Sequence, residues 1–322
     1  MLIPDFKGFD FFPHGTHLPF MRYKGICFWT SVVMMALSLV LVFTKGLNFG
    51  VDFKGGSLIE VQSKSGPADV TAMRQKLGGI GLGDVQIQGF GAPTDVLIRV
   101  EQQPGGEKAQ QDALNKVLTT LGDGFTQRRA EVVGPAVSSE LRTTGTIAVL
   151  ASILAIILYV WFRFEWQFAL GTVVALFHDV LLTLGIFSLF QLEFDLSIVA
   201  ALLTILGYSV NDTVVVSDRI RENLRKYKKM ELTELLNLSI NETLSRTILT
   251  GVTTLVVLAC LYVFGGPVIH NFSLAMLLGV IIGTYSSIFI AAPLLGYLGV
   301  KRDWSGASAT AKPSGAAASK RA

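Results

Sequence analysis

Two carboxylates and one guanidinium stand where the sequence is otherwise apolar. Asp179, beside His178, is the only charge between Glu165 and Glu193. Asp212 is the only one between Asp195 and Asp218, and Arg246 the only one from Leu244 to Val300. Ionisable groups in such runs are expensive and mark a protein interior, a partner or a water path. Thr204, Tyr208, Asn211 and Asp212 follow i, i+4, i+7 and i+8, which sets a polar stripe on one face of a helix. A carboxylate taken out of water is held closer to neutrality, so it can take a proton from one side and release it to the other. An approaching Arg246 would favour the charged form, and its retreat the neutral one. Moving one charge through 100 mV is worth about 2.3 kcal/mol, comparable to the roughly 1–3 kcal/mol of typical conformational coupling. Plainer readings stand beside this one. Arg246 can snorkel to headgroups, Asp212 can form a static salt bridge, and Asp179 can be a structural hydrogen-bond partner. His178 reads first as a packing residue, and Glu193 and Asp195 as solvated loop carboxylates.

The elements that must position these residues are membrane spans. The chain has 322 residues, 51% hydrophobic and 16% charged, with a mean hydropathy of +0.52. This excludes a disordered protein, a disulfide scaffold and a nucleic-acid binder, and argues against a soluble enzyme. About 20 apolar residues cross a bilayer as a helix. Six stretches qualify, near 26–43, 146–162, 168–190, 196–217, 247–264 and 272–298. Lys and Arg concentrate before the first span, in Arg163, in the Arg219–Lys229 run and in Lys301 and Arg302, all on one side. Both termini are therefore expected in the cytoplasm. The first span is too long for a signal peptide and is followed by no small-x-small cleavage site, so it reads as a retained anchor. Cys27 and Cys260 lie in apolar runs and read as packing residues. The expected organisation is a cytoplasmic N-terminus (1–25), a first helix (26–44), an external domain (45–142), five further helices with a basic cytoplasmic loop at 218–243 (143–300), and a disordered tail (301–322).

The external interval alternates as Ser57–Gln62, Val85–Gln88, Val96–Val100 and Phe125–Val133 for strands, with helical periods over Ala68–Leu77 and Glu107–Leu121. The order β-α-β-β-α-β predicts an α+β, ferredoxin-like (split-βαβ) domain. It contains no His, no Cys and no phosphate loop, so no catalytic set, metal site or cofactor is expected. A sheet edge there could accept an extended peptide. Gly55-Gly56 and Gly134-Pro135, where the domain joins its spans, are candidate hinges, with ordinary turns as the alternative.

Four motifs converge on one resemblance. Asn48-Phe49-Gly50-Val51-Asp52-Phe53-Lys54-Gly55-Gly56 and Val133-Gly134-Pro135-Ala136-Val137-Ser138-Ser139-Glu140-Leu141 resemble signatures of the SecD/SecF export proteins. The stretch from Gly207 to Asn223, with Asn211-Asp212, resembles the fourth-span motif of the SecF branch, and Asn241–Thr247 its fifth-span partner. Length and a single external domain favour that branch over the longer SecD one. The resemblance implies a polytopic inner-membrane protein of the RND superfamily, with the external domain in the periplasm. Its partners would be SecD, the SecYEG channel, YajC and a translocating preprotein. It would use proton flow to promote late-stage export, with Asp212 and Arg246 in the proton path and Asp179 a further member. Two other expectations remain open: a half-size RND-type exporter of lipids or small molecules, which a large apolar or cationic external pocket would favour, and a structural Sec subunit that conducts no protons.

Overall fold

The computed structural model describes residues 17–300. The tail expected at 301–322 and the first 16 residues lie outside the described residues. Helix α1 (Lys24–Thr44) leads through β1 (Asn48–Phe49) and a helical turn, α2 (Val51–Lys54), into the external domain. There follow β2 (Gly56–Ser63), α3 (Val70–Gly78), β3 (Val85–Phe90), β4 (Ala92–Val100), α4 (Gly106–Leu121) and β5 (Phe125–Val133). The membrane half continues with α5 (Pro135–Arg163), α6 (Trp166–Phe190), β6 (Glu193–Phe194), α7 (Leu196–Lys226), α8 (Leu232–Phe264), α9 (Pro267–Ser286) and α10 (Ala292–Leu298). A π-helical turn, Ser287–Ala291, joins the last two.

Among the described residues, six helical stretches are long and apolar enough to span a membrane, the last formed by Ile269–Leu298. They sort into two layers. The α6, α7 and final spans are about half buried (56%, 50% and 56%), whereas α1, α5 and α8 bury only 11%, 11% and 17% of their apolar windows. The outer three therefore turn Leu, Val and Phe side chains to the surroundings, as lipid-facing helices do. Small residues allow close contact both between the layers and within the inner one. A Cβ on Gly185 of α6 would lie 2.1 Å from the Ser38 hydroxyl of α1, and one on Gly279 of α9 would lie 2.3 Å from Ile205 of α7.

The external sheet runs β3-β4-β2-β5 with every neighbour antiparallel. Ile59, Val61, Ile87, Val96, Ile98 and Val100 point to one face and pack against Met73 and Leu77 of α3 and Leu114 and Val117 of α4. The period of two places Leu97 and Arg99 on the opposite face. Gly91 (φ +76°) carries the β3–β4 turn, and β4 begins directly after it at Ala92. Gln110, buried in α4, donates to Ser57 (2.8 Å) and accepts from the Gln103 amide (2.8 Å), tying the β4–α4 loop to β2.

The region expected as a basic loop, 218–243, is mostly helical. Helix α7 continues to Lys226 and α8 begins at Leu232. The reason is amphipathicity: Ile220, Leu224, Leu235, Leu236 and Ile240 bury together in one apolar cluster. Asn223 also donates to Ser239 (3.0 Å) and Glu242 (2.6 Å), and Arg219 to Glu242 (2.8 Å). The segment before α1 docks on the same hairpin. The Asn241 amide accepts from Leu18 N (2.8 Å) and donates to Leu18 O (2.9 Å).

Candidate functional site

Asp212 sits on the buried face of α7, 3% exposed. One oxygen accepts from the Thr247 hydroxyl of α8 at 3.5 Å, and the other is buried without a hydrogen-bond partner. The antiparallel arrangement expected from sequence thus brings Asp212 to the level of the Arg246–Thr247 pair. The static salt bridge that the sequence left open does not form with Arg246: among the described residues no ion pair joins Asp212 to Arg246, whose side chain is exposed. Successive helical residues point about 100° apart, so Thr247 faces α7 while Arg246 points outward.

The polar stripe also divides. Tyr208 and Asp212 turn inward, and the Tyr208 hydroxyl lies among Thr250, Thr254 and Thr284. A Cβ on Gly251 would meet that hydroxyl at 3.8 Å. Thr204 and Asn211 are exposed, and Thr204 is satisfied by its own helix at Ala200 O (2.8 Å). Gly207 has no atom within 4 Å of its Cβ position and faces out with them.

Asp179 is fully buried at the meeting of three helices. One carboxylate oxygen accepts from Ser209 of α7 (2.5 Å) and Ser286 of α9 (2.8 Å), and the other lies 2.9 Å from His178 Nδ1. The His178 ring stacks on Tyr285 at 6.1 Å. The Tyr285 hydroxyl donates to Cys27 O (3.1 Å) and lies 3.1 Å from Ser31 of α1. Ser286 is the residue before the π turn, a local widening common at functional positions. Ser209 precedes Asp212 by one helical turn, so α7 carries a contact to each carboxylate. Sequence reasoning missed Ser209, Ser286 and Thr247, because hydroxyl residues are frequent in spans and only the packing selects these three. Substituting Asp179 by Asn leaves one acceptor oxygen and turns one contact, to the serine pair or to His178 Nδ1, into a contact with an amide nitrogen. The expected cost is about 1–2 kcal/mol, read as a lower unfolding midpoint of the full chain in detergent; an unchanged midpoint would show that the serine bonds contribute nothing.

At the external end, several positions of the signature around Gly50–Gly56 have a structural reason. Asp52 accepts from Leu196 N (2.9 Å) at the start of α7, Phe53 O accepts from Arg142 of α5 (2.6 Å), and Gly50 N donates to Phe194 O (2.9 Å). Gly55 and Gly56 have φ of +74° and +119°. Gly134 is the extended N-cap of α5 and Pro135 opens its first turn, where a missing N–H costs nothing. Glu193 and Asp195 are not the solvated carboxylates expected. Glu193 pairs with Arg99, and Asp195 caps α7 by accepting from Ile198 N (3.1 Å) and Ser197 (2.5 Å).

These signatures match known proteins. The family profile described as protein export membrane protein SecD/SecF, C-terminal, covers residues 113–301, and the SecD/SecF GG motif covers residues 40–66. The chain is 50% identical to the protein translocase subunit SecF of Cereibacter sphaeroides over 299 residues, covering 90% of this chain and 92% of that one. It belongs to the SecF family of protein translocase subunits. The SecF of Rickettsia bellii is 47% identical over 287 residues, covering 88% of this chain and 94% of that one. The SecDF of Brucella abortus is 43% identical over 90% of this chain, which spans 38% of that longer protein. Among solved structures, the crystal structure of SecDF from Thermus superposes with a TM-score of 0.80 at 35% identity, covering 88% of this chain and 39% of that one. The SecF-type chain is thus a multi-pass helical membrane protein and a subunit of a protein translocase.

Proposed function

We propose that this SecF-type subunit pairs with SecD in the bacterial inner membrane and uses the proton motive force to promote late-stage protein export. Both termini lie in the cytoplasm, and the external domain, ferredoxin-like in its sheet order, lies in the periplasm. The subunit works beside the SecYEG channel and YajC on a translocating preprotein. Pairing with SecD is supported by relatives such as the Brucella SecDF, in which this chain corresponds to one part of a longer protein.

The observation that carries the proton role is the free oxygen of Asp212, buried within the helix layer and facing no donor. In the cycle this oxygen takes the proton. Thr247 holds the other oxygen, and Arg246 enters and leaves its vicinity as α7 and α8 shift. Asp179 sets the position of α7 through Ser209, and Gly55, Gly56, Gly134 and Pro135 fix the two joints of the external domain. The cavity beneath that domain, about 570 Å3, is lined by Gln86, Gln88, Gln191 and Asn271, by Arg99 and Glu193, and by the apolar Phe90, Leu97, Leu192 and Val263.

The test uses membrane vesicles with and without the subunit, at constant ATP, translocating a signal-bearing precursor. The increment of export due to the subunit should disappear when an ionophore collapses the proton gradient. An increment that persists in the collapsed state would remove proton coupling from the proposal.

A further inference from the structure

The external domain and the membrane half meet at a charged contact that the proton path does not use. Arg99 projects from the sheet face opposite α3 and α4 and forms an ion pair with Glu193 of β6, both side chains largely buried at 15% and 16% exposure. Strand β6 pairs in parallel with β1, matching Asn48 with Glu193 and Phe49 with Phe194. The backbone approach is close: a Cβ on Gly50 would lie 2.9 Å from a Glu193 carboxylate oxygen and 3.3 Å from Asp195. Directly after β6, Asp195 caps α7 and Asp52 holds the Leu196 amide. Four consecutive residues, 193–196, thus tie the external sheet, the segment leaving α1 and the first turn of α7 together. A helix is stiff over this range, and Asp212 lies about 24 Å further along α7 at 1.5 Å per residue.

We propose that Arg99 and Glu193 are positioning residues, forming the joint through which movement of the external domain reaches α7 and so Asp212. For its place in the export cycle the inference rests on the reading above; the joint itself is tested without it.

The chemistry around the joint makes it responsive to external pH. Burial pushes the Glu193 carboxyl above the ordinary carboxylate range; Arg99 pulls it back, and Asp195 and Asp52 add to the rise. Burial also raises Asp195, against the hydrogen bonds from Ser197 and Ile198. The groups facing the joint are Arg99 from β4, Asp52 from α2, Asp195 at the head of α7 and, across the water-accessible cavity, His270 of α9. The sign follows from linkage. The docked arrangement holds protons on Glu193 and Asp195 more tightly than a separated one in which both are solvated. Docking is therefore favoured as pH falls through the raised values, and that increment is lost as pH rises above them.

The test places spin labels at Gln88→Cys and Gln191→Cys, on opposite walls of the cavity, in the full chain with Cys27 and Cys260 replaced by Ser. The chain is held in vesicles with its external side outward. The short-distance population should rise severalfold from pH 8 to pH 5. Arg99→Glu or Glu193→Arg alone should lose most of that population at pH 7 and lower export about tenfold. The exchanged pair, Arg99→Glu with Glu193→Arg, should restore both. Glu193→Gln keeps the size and removes the charge, so it should stay docked at pH 8 and serves if the reversals are not retained in the membrane. Single reversals that are retained yet leave distances unchanged, an exchange that restores neither readout, or a Glu193→Gln chain with the wild-type pH profile would each overturn the joint. Distances are read without any export assay, so a failure of proton coupling in the ionophore experiment leaves this result standing, and the reverse.

Discussion

Asp212→Asn is expected to reduce the export increment due to this subunit tenfold or more, while subunit abundance and association with SecD stay unchanged. The substitution preserves shape. It keeps the oxygen that accepts from Thr247 and replaces the unpartnered one by an amide nitrogen. Polar contacts between membrane helices are worth only about 0.6–2 kcal/mol, so the change does not unfold the layer in which Asp212 sits. The change does remove the atom proposed to take the proton. One proton crossing 100 mV supplies about 2.3 kcal/mol, a factor of about fifty in an equilibrium, and a subunit that cannot bind it loses that bias. The measurement is the rate at which a signal-bearing precursor completes translocation, with abundance and association followed by blot. Normal export from a normally assembled Asp212→Asn subunit would make the carboxylate structural and the subunit a scaffold for its partner.

The geometry separates this residue from the other carboxylate of the membrane half. Asp179 has Ser209, Ser286 and His178 around its two oxygens and no exposure, so both oxygens are already engaged. Asp212 has one long contact and a free oxygen beside an outer helix that is only 17% buried in its apolar window. The first arrangement is suited to fixing helices and the second to changing state. Both act on α7, whose head is held by Asp52 and Asp195. A single rigid element therefore connects the external joint, the Asp179 node and the proposed proton carrier.

Much of this was legible in the sequence because apolar length and charge scarcity are strong signals. The spans, the order of strands and helices in the external interval, and the common level of Asp212 and the fifth-span motif all follow from period and count. What was not legible depends on rotation and partner choice. A stripe written i, i+4, i+7, i+8 covers more than one face, so Thr204 and Asn211 turned outward while Tyr208 and Asp212 turned in. The pairing of Asp212 with Arg246 rather than Thr247 was a choice between neighbouring residues about 100° apart. The 218–243 region read as a loop because its charges masked a narrow apolar face. Glu193 looked solvated because its partner, Arg99, lies in a different domain and nearly a hundred residues earlier in the chain.

Gly56→Ala is expected to destabilise the external domain by about 3 kcal/mol or more, the upper end of the range for a single strained backbone position. Two independent obstacles add at this residue. Its φ of +119° is a conformation that a side chain rarely adopts. A Cβ there would also lie 2.4 Å from the Val100 carbonyl oxygen, a backbone atom of the adjacent strand β4. That carbonyl cannot move alone. Residues 57 and 100 are paired in the sheet register, Ser57 is fully buried against Gln110, and Val100 is in the core. Relief of the clash would require β2 and β4 to separate at the end where the domain joins the membrane half. The neighbouring Gly55→Ala meets only the end of the Gln102 side chain, at 2.9 Å, which can swing away, so strain from its φ of +74° remains as the main cost. Limited proteolysis of the full chain in membranes should show the Gly56→Ala external domain cleaved at least tenfold faster than wild type, with Gly55→Ala intermediate. Equal protection of all three would mean that the end of β2 accommodates a methyl group, and that the paired glycines act as flexible hinges rather than as a close-packed joint.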